Sequence, residues 1–230
     1  MTDTLFPQKT YPTLPVKGET AAYPVHRIFC VGQNYADHAK EVGSSVDTEA
    51  PFFFLKDASA LVPSGTDVAY ALGTENLHYE IELVLALGQP LFNASEEEAA
   101  RAIYGYAVGL DMTRRDLQAV AKKKGRPWDF AKNFEESAII APLTRAGDMD
   151  ALGDQRIWLT LDGDVRQDGK LSDMARGPAE VLSYLSRFYR LQPGDLVMTG
   201  TPAGIGAVVA GSKVEGGVDG LDPVRVTFTD

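Results

Sequence analysis

The chain is poor in the residues that staple or anchor a protein. One cysteine, Cys30, stands among 230 residues, so no internal disulfide framework can form. It sits in the apolar run Ile28 to Val31, and a reducing compartment is the expectation. No apolar run approaches the roughly 18 residues that a membrane span needs. Thr, Asp and Thr follow Met1 in place of a basic, apolar leader, so the expected location is the cytoplasm. Positive charge is scarce as well. Lys and Arg number 22 against 32 Asp and Glu, a net charge of -10, which excludes nucleic acid as a partner because that needs basic clusters to displace counterions. A small anionic ligand stays open, since a local pocket can be positive on an acidic protein. The chain also lacks a regular β-α-β alternation and a GxxxxGK[ST] loop, which sets aside a parallel doubly wound sheet and a phosphate-loop nucleotide site.

What is present is the make-up of a globular protein: 44% hydrophobic and 23% charged residues, enough to bury a sizeable core. Residues 1–24, rich in Pro, Thr and Lys, read as an N-terminal arm with little core of its own, and residues 25–230 as one catalytic domain. RIFCV (27–31), PFFFLK (51–56), YGYAVGLDM (104–112) and VRVTF (224–228) read as strands. RIWLTLDGDVRQDG holds two alternating arms around Asp162-Gly163, a tight-hairpin signal. Helices are expected after Asn34, which is placed to cap a turn that Gly43 ends, and after Ser95, with Glu98 completing a capping box. Two more are expected, one from about Arg114 to Lys124, and one in GPAEVLSYLSRFYRL, where Val181, Leu182, Leu185 and Phe188 recur at helical spacing. The sum is an α+β fold, β-rich and mixed, with a few short helices.

The stretch NLHYEIELVLALG (76–88) carries the chemistry. As a strand it turns Tyr79, Ile81, Leu83, Leu85 and Leu87 one way, and Glu80 and Glu82 the other, roughly 6.6 Å apart. Two carboxylates on a buried face need a partner, because an unpaired buried charge costs several kcal/mol. A hard divalent cation compensates both, and Asp111, at the end of the apolar strand YGYAVGLDM, is the candidate third ligand. Three carboxylates leave about half an octahedral Mg²⁺ shell open for substrate, and Mn²⁺ suits the same oxygens. The alternation fits an exposed strand face equally well, and Asp111 or Thr113 fits a helix cap.

Histidine is scarce, with three in the chain. His38 and Glu41 fall at i and i+3 on one helix face, as a base and its orienting carboxylate do. His78, two residues before Glu80 on the same strand face, reads as support behind the site, and His26 as structural. Lys122, Lys123 and Lys124 read as surface lysines.

The ordered segments CVGQNYADHAKEVG, PFFFLK, LHYEIELVLALG, GYAVGLDMTRRDLQ, KKKGRPWDFAKNF, LTLDGDVRQDG and LQPGDLVMTGTPAGIGAV resemble the fumarylacetoacetate hydrolase family over about residues 28 to 228. The likeness is greatest to its short, single-domain acylpyruvase branch. That resemblance implies the β-rich fold of the family's C-terminal domain, a homodimer, and Mg²⁺ or Mn²⁺ held by Glu80, Glu82 and Asp111. It implies His38 and Glu41 as a catalytic dyad on a lid helix, Lys132 as a catalytic lysine beside the metal, and Arg115, Gln118 and Thr201 as substrate-binding residues. GQNY stands where many relatives carry GRNY, so Gln33 removes a charge near the lid. The implied reaction is cleavage of the C–C bond of a 2,4-dioxo acid (an acylpyruvate), foremost fumarylpyruvate to fumarate and pyruvate, in aromatic catabolism. Decarboxylation of oxaloacetate or isomerisation of an unsaturated dioate at the same metal site is the alternative.

Overall fold

Alternating apolar runs dictate the architecture. The structure, a computed structural model that describes residues 5–7, 10–47 and 49–230, is an α+β fold in which strands predominate. The largest sheet orders its strands Phe52–Lys56, Arg27–Gly32, Asp195–Met198, Ile81–Leu87, Ile103–Asp111, Ala138–Ile140 and Leu61–Pro63, with Thr144–Arg145 also paired to Ile103–Asp111. A five-stranded sheet joins the hairpin Arg156–Leu161 and Asp164–Lys170 to Lys213–Val218, Val224–Thr229 and Asp67–Ala69. The helices are α1 (Ala36–Glu41), α2 (Glu96–Ala102), α3 (Arg115–Lys124), α4 (Asp129–Lys132) and α5 (Pro178–Ser186).

The large sheet is covered on both faces, and the central strand shows how. Tyr79, Ile81, Leu83, Leu85 and Leu87 enter one hydrophobic cluster, while Val84 and Ala86 enter the other. Every residue from Ile81 to Leu87 is buried, Glu82 included. Each aliphatic side chain so buried contributes on the order of 1.5–3 kcal/mol, enough in sum to offset the cost of desolvating the two glutamates that share the run.

Local signals account for most element ends. Ser95 and Glu98 form the capping box of α2. Gly125 ends α3 in the left-handed conformation, and Pro178 opens α5. Asp162 and Gly163 both take positive φ, 54° and 91°, the two-residue turn that matches strand twist.

Three expectations differ. Asn34 does not cap α1: the cap position is Tyr35, without a side-chain bond, and the Asn34 amide instead donates to the carbonyls of Arg176 and Thr199 at 2.9 Å each. Phe188 lies beyond the end of α5 and is exposed, so the helical spacing overran the helix. Leu14, Val16 and Tyr23, within the segment read as an arm, are buried in the second hydrophobic cluster. The Tyr23 hydroxyl donates to the Leu87 carbonyl at 2.7 Å. Leu14 and Val16 alternate as a strand does, and Leu14 pairs with Tyr23 across two two-residue strands, runs too short and too rich in Pro for periodicity to reveal them. Residues 1–4 and 8–9 of that segment lie outside the described residues.

Candidate active site

Strand pairing gathers the carboxylates. Ile81 pairs with Leu110 and Glu82 with Gly109, and the Asp111 N–H donates to the Glu80 carbonyl at 2.9 Å, so Glu80 and Asp111 face each other across two antiparallel strands. Glu80, Glu82 and Asp111 are all buried, at 4%, 2% and 0% exposure, and one carboxylate oxygen from each lies within 4.8 Å of the others. The exposed-face reading of the two glutamates is thereby excluded, and so is helix capping by Asp111 or Thr113, since α3 has no side-chain cap.

Three cations surround this acidic group. Lys132, at the end of α4, donates to Glu80 Oε2, Asp111 Oδ2 and Thr113 Oγ1, each at 2.6 Å. Those three bonds use its whole donor capacity. Arg115 pairs with Glu80 and donates to Gln118 Oε1 at 2.5 Å, so the first turn of α3 is tied to the acidic group. Lys56, wholly buried at the end of PFFFLK, lies 2.8 Å from Asp111 Oδ1. Sequence reasoning missed Lys56, because a lysine closing an apolar strand looks like an ordinary polar strand end.

The electrostatics divide the three carboxylates. Burial works to raise Glu80, but the charges of Lys132, Arg115 and His38 outweigh it and hold Glu80 below the usual carboxylate range. Glu82 goes the other way. Burial first, then the negative charges of Asp111 and Glu80, push it well above its ordinary value. The Gly200 N–H donates to its Oε2 at 2.6 Å. Asp111 Oδ1 is buried with no hydrogen bond, despite the nearby Lys56 charge. An all-oxygen donor set, one member short of compensating charge and another with an unbonded buried oxygen, fits a hard divalent ion such as Mg²⁺ or Mn²⁺.

Helix α1 stands over this group. His38 Nδ1 is 3.3 Å from Glu41 Oε2, and the Gly204 N–H reaches both oxygens of Glu41 at 3.1 and 3.2 Å. The loop from Thr199 to Gly206 therefore holds Glu82 through Gly200 and Glu41 through Gly204. Both glycines have positive φ, 95° and 99°. A Cβ on Gly204 would collide with the Arg166 carbonyl, so the glycines serve close backbone approach and not a nucleotide.

His38, Glu80, Asp111, Arg115, Gln118 and Lys132 converge on one cavity of about 20 Å³. Thr201 does not line it. Its hydroxyl instead accepts from Gln167 Nε2 at 2.8 Å, and Gln167 Oε1 accepts from the Ile81 N–H, between the two glutamates, at 3.0 Å. Gln33 lines the cavity with φ 57°, at the entry to α1. His78 lies outside it, with Nε2 2.9 Å from Asn76 Oδ1, and burial together with the Arg115 charge pushes it down to about 4, so it is neutral near pH 7. His26 is at the far end of the sheet, 3.2 Å from Asp195.

Residues 27–229 match the family profile of the fumarylacetoacetate hydrolase C-terminal domain. The chain belongs to the fumarylacetoacetate hydrolase family. Within this family it is 46% identical to a fumarylpyruvate hydrolase from Ralstonia sp over 81% of this chain and 97% of that one. A rat mitochondrial protein, oxaloacetate tautomerase FAHD1, is 43% identical over 86% of this chain and 89% of its own length. Among family structures, the fumarylpyruvate hydrolase from Pseudomonas aeruginosa in complex with Mn²⁺ and pyruvate superposes with a TM-score of 0.95, at 44% identity and 99% coverage of both chains.

Proposed function

We propose that the protein is a divalent-metal-dependent hydrolase that cleaves the C–C bond of an acylpyruvate, foremost fumarylpyruvate, to give fumarate and pyruvate. The observation that carries this reading is the convergence on one cavity of Glu80 and Asp111, two members of the buried carboxylate group that Glu82 completes, and of His38, whose ring is paired with Glu41. The likeness to the Ralstonia and Pseudomonas fumarylpyruvate hydrolases supports the same chemistry. Glu80, Glu82 and Asp111 would hold Mg²⁺ or Mn²⁺. The bound ion supplies Lewis acidity at the 2-oxo end of the substrate, where negative charge collects when the bond breaks.

The remaining steps belong to the chain. Glu41, fixed by the Gly204 N–H, accepts a hydrogen bond from Nδ1–H of His38 and leaves Nε2 free to take a proton from water. That water attacks the C4 carbonyl, the C3–C4 bond breaks, and its electron pair becomes the enolate of pyruvate. His38 then holds the proton that C3 of the enolate takes up. Lys132 faces the C4 oxyanion as a donor, exchanging its Thr113 bond for one to substrate. Arg115 and Gln118 orient the substrate from α3, and Thr201 acts through Gln167 on the strand that carries both glutamates.

The test is to supply purified protein with Mg²⁺ or Mn²⁺ and fumarylpyruvate and to identify every product. Equal amounts of pyruvate and fumarate are expected; no consumption with either metal removes the proposal. The rat relative favours a second reading, proton exchange at C3 of oxaloacetate by the same pair, which requires interconversion of enol and keto forms without carbon loss. Carbon dioxide release from oxaloacetate would instead point to decarboxylation. The proposal includes a homodimer and a cytoplasmic setting in aromatic catabolism, supported by the family likeness and by one buried, free cysteine. Among the described residues no helix is long and apolar enough to cross a membrane.

A further inference from the structure

Helix α3 lays a ruler along the cavity. Arg115, Gln118 and Lys122 occur at i, i+3 and i+7, so they share one face, and all three line the cavity. Arg115 marks the metal end through its bond to Glu80. Lys122 is two turns further on, about 10.5 Å along the axis, at the solvent-exposed rim. Its ammonium sits 5.3 Å from the Trp128 ring centroid, and Trp128 also lines the cavity. Lys123 and Lys124, which share its sequence context, do not line it.

Charge pairing singles this lysine out. Arg115 pairs with Glu80, Lys132 with Glu80 and Asp111, and His38 with Glu41. Lys122 is the one cavity-lining cation with no carboxylate in ion-pair contact among the described residues. Partial burial, and then the positive charges of Arg115 and Lys132 against the opposing pull of Glu80, hold it below its ordinary value. A cation so placed gains most from an incoming anion.

We infer that Lys122 is a specificity-determining residue that receives an anionic group at the far end of the substrate's acyl chain. The inference rests on the hydrolase reading above. In fumarylpyruvate the distal carboxylate lies three carbon–carbon bonds beyond C4, directed away from the 2-oxo acid end. Arg115 and Lys132 are already committed to the metal-side carboxylates, so the rim cation is the group left to meet that charge.

The experiment measures steady-state kinetics of the full chain with Mg²⁺ on fumarylpyruvate and on acetopyruvate, whose acyl group carries no charge. Lys122→Met, which keeps an unbranched, flexible side chain and removes the charge, is expected to lower the kcat/KM ratio of fumarylpyruvate to acetopyruvate by about tenfold or more, mainly through KM. Lys122→Arg is expected to restore most of that ratio. An equal change on both substrates in Lys122→Met, or no change, overturns the inference while the hydrolase reading stands. If the unaltered protein consumes neither substrate, the hydrolase reading falls and this inference with it.

Discussion

The ammonium of Lys56 lies 2.8 Å from Oδ1 of Asp111, and both side chains are wholly buried. Lys56 also donates to the Met112 carbonyl at 3.1 Å and to the Lys132 carbonyl, so one lysine fixes both the Asp111 carboxylate and the segment that delivers Lys132. Breaking such a pair from one side leaves the buried acidic group one cation short in a low-dielectric interior, with Lys132 alone on Asp111. Lys56→Met is expected to destabilise the protein by about 3–5 kcal/mol in chemical denaturation. Adding Asp111→Asn should recover part of that loss, because the excess negative charge is then gone. A Lys56→Met loss under about 1 kcal/mol would mean that the pair is not the anchor described.

His38 and Glu41 act as a unit in the proposed chemistry, whereas neither touches the carboxylates that would hold the ion. His38→Ala is expected to lower kcat by about 10²–10⁴ while Mn²⁺ affinity, read by calorimetry, is retained. Glu41→Gln should cause a smaller loss of the same kind, since it removes the orienting charge and leaves the imidazole. Parallel loss of metal affinity in His38→Ala would turn the dyad into a metal-side group and end its assignment as base.

Glu82 links the metal to pH. Its carboxyl is held above the ordinary range by burial and by the negative charges of Asp111 and Glu80, so the folded, metal-free protein retains a proton that the unfolded chain gives up. The stability this contributes is complete below the unfolded value and is lost as pH rises through the folded one. A divalent ion needs the carboxylate and expels that proton. The rise in Tm on adding Mg²⁺ to chelator-treated protein is therefore expected to grow as pH rises above the ordinary carboxylate range, and Glu82→Gln should flatten the trend. A rise that shrinks with pH would exclude the proton-linked site.

How much of the fold and the site is legible in the sequence depends on whether a residue obeys a period. Glu80 and Glu82 stand out because alternation in EIELVLAL puts them on a face that Val84 and Ala86 show to be apolar, and Asp111 because it closes a strand of the same kind. The hairpin at Asp162-Gly163 and the end of α3 at Gly125 are legible from backbone chemistry alone. Lys56 and Lys122 are not, for opposite reasons. One terminates an apolar strand, where a polar residue is ordinary, and the other is hidden in a run of three lysines whose faces only the helix separates. Asn34 has the side chain of a cap, but its amide finds partners 142 and 165 residues away, which no local pattern encodes.

The loop that joins the metal group to the dyad offers the sharpest test of their coupling. Gly200 has φ 95° and donates its N–H to Glu82, and a Cβ there would stand 2.8 Å from Cβ of Asn34. Gly200→Ala thus combines left-handed strain, about 1–2 kcal/mol, with a push on the residue whose amide ties the start of α1 to Thr199. Gly163, with φ 91° in the distant hairpin and no neighbouring atom within 4 Å of where a Cβ would stand, isolates the strain. Gly163→Ala is expected to lose stability alone, seen as a lower Tm with unchanged Mn²⁺ affinity and kcat. Gly200→Ala should lose stability and, beyond it, both Mn²⁺ affinity and kcat, because Glu82 and the entry to α1 move together. If Gly200→Ala matches Gly163→Ala in all three measurements, the loop is a passive turn and does not couple the two halves of the site.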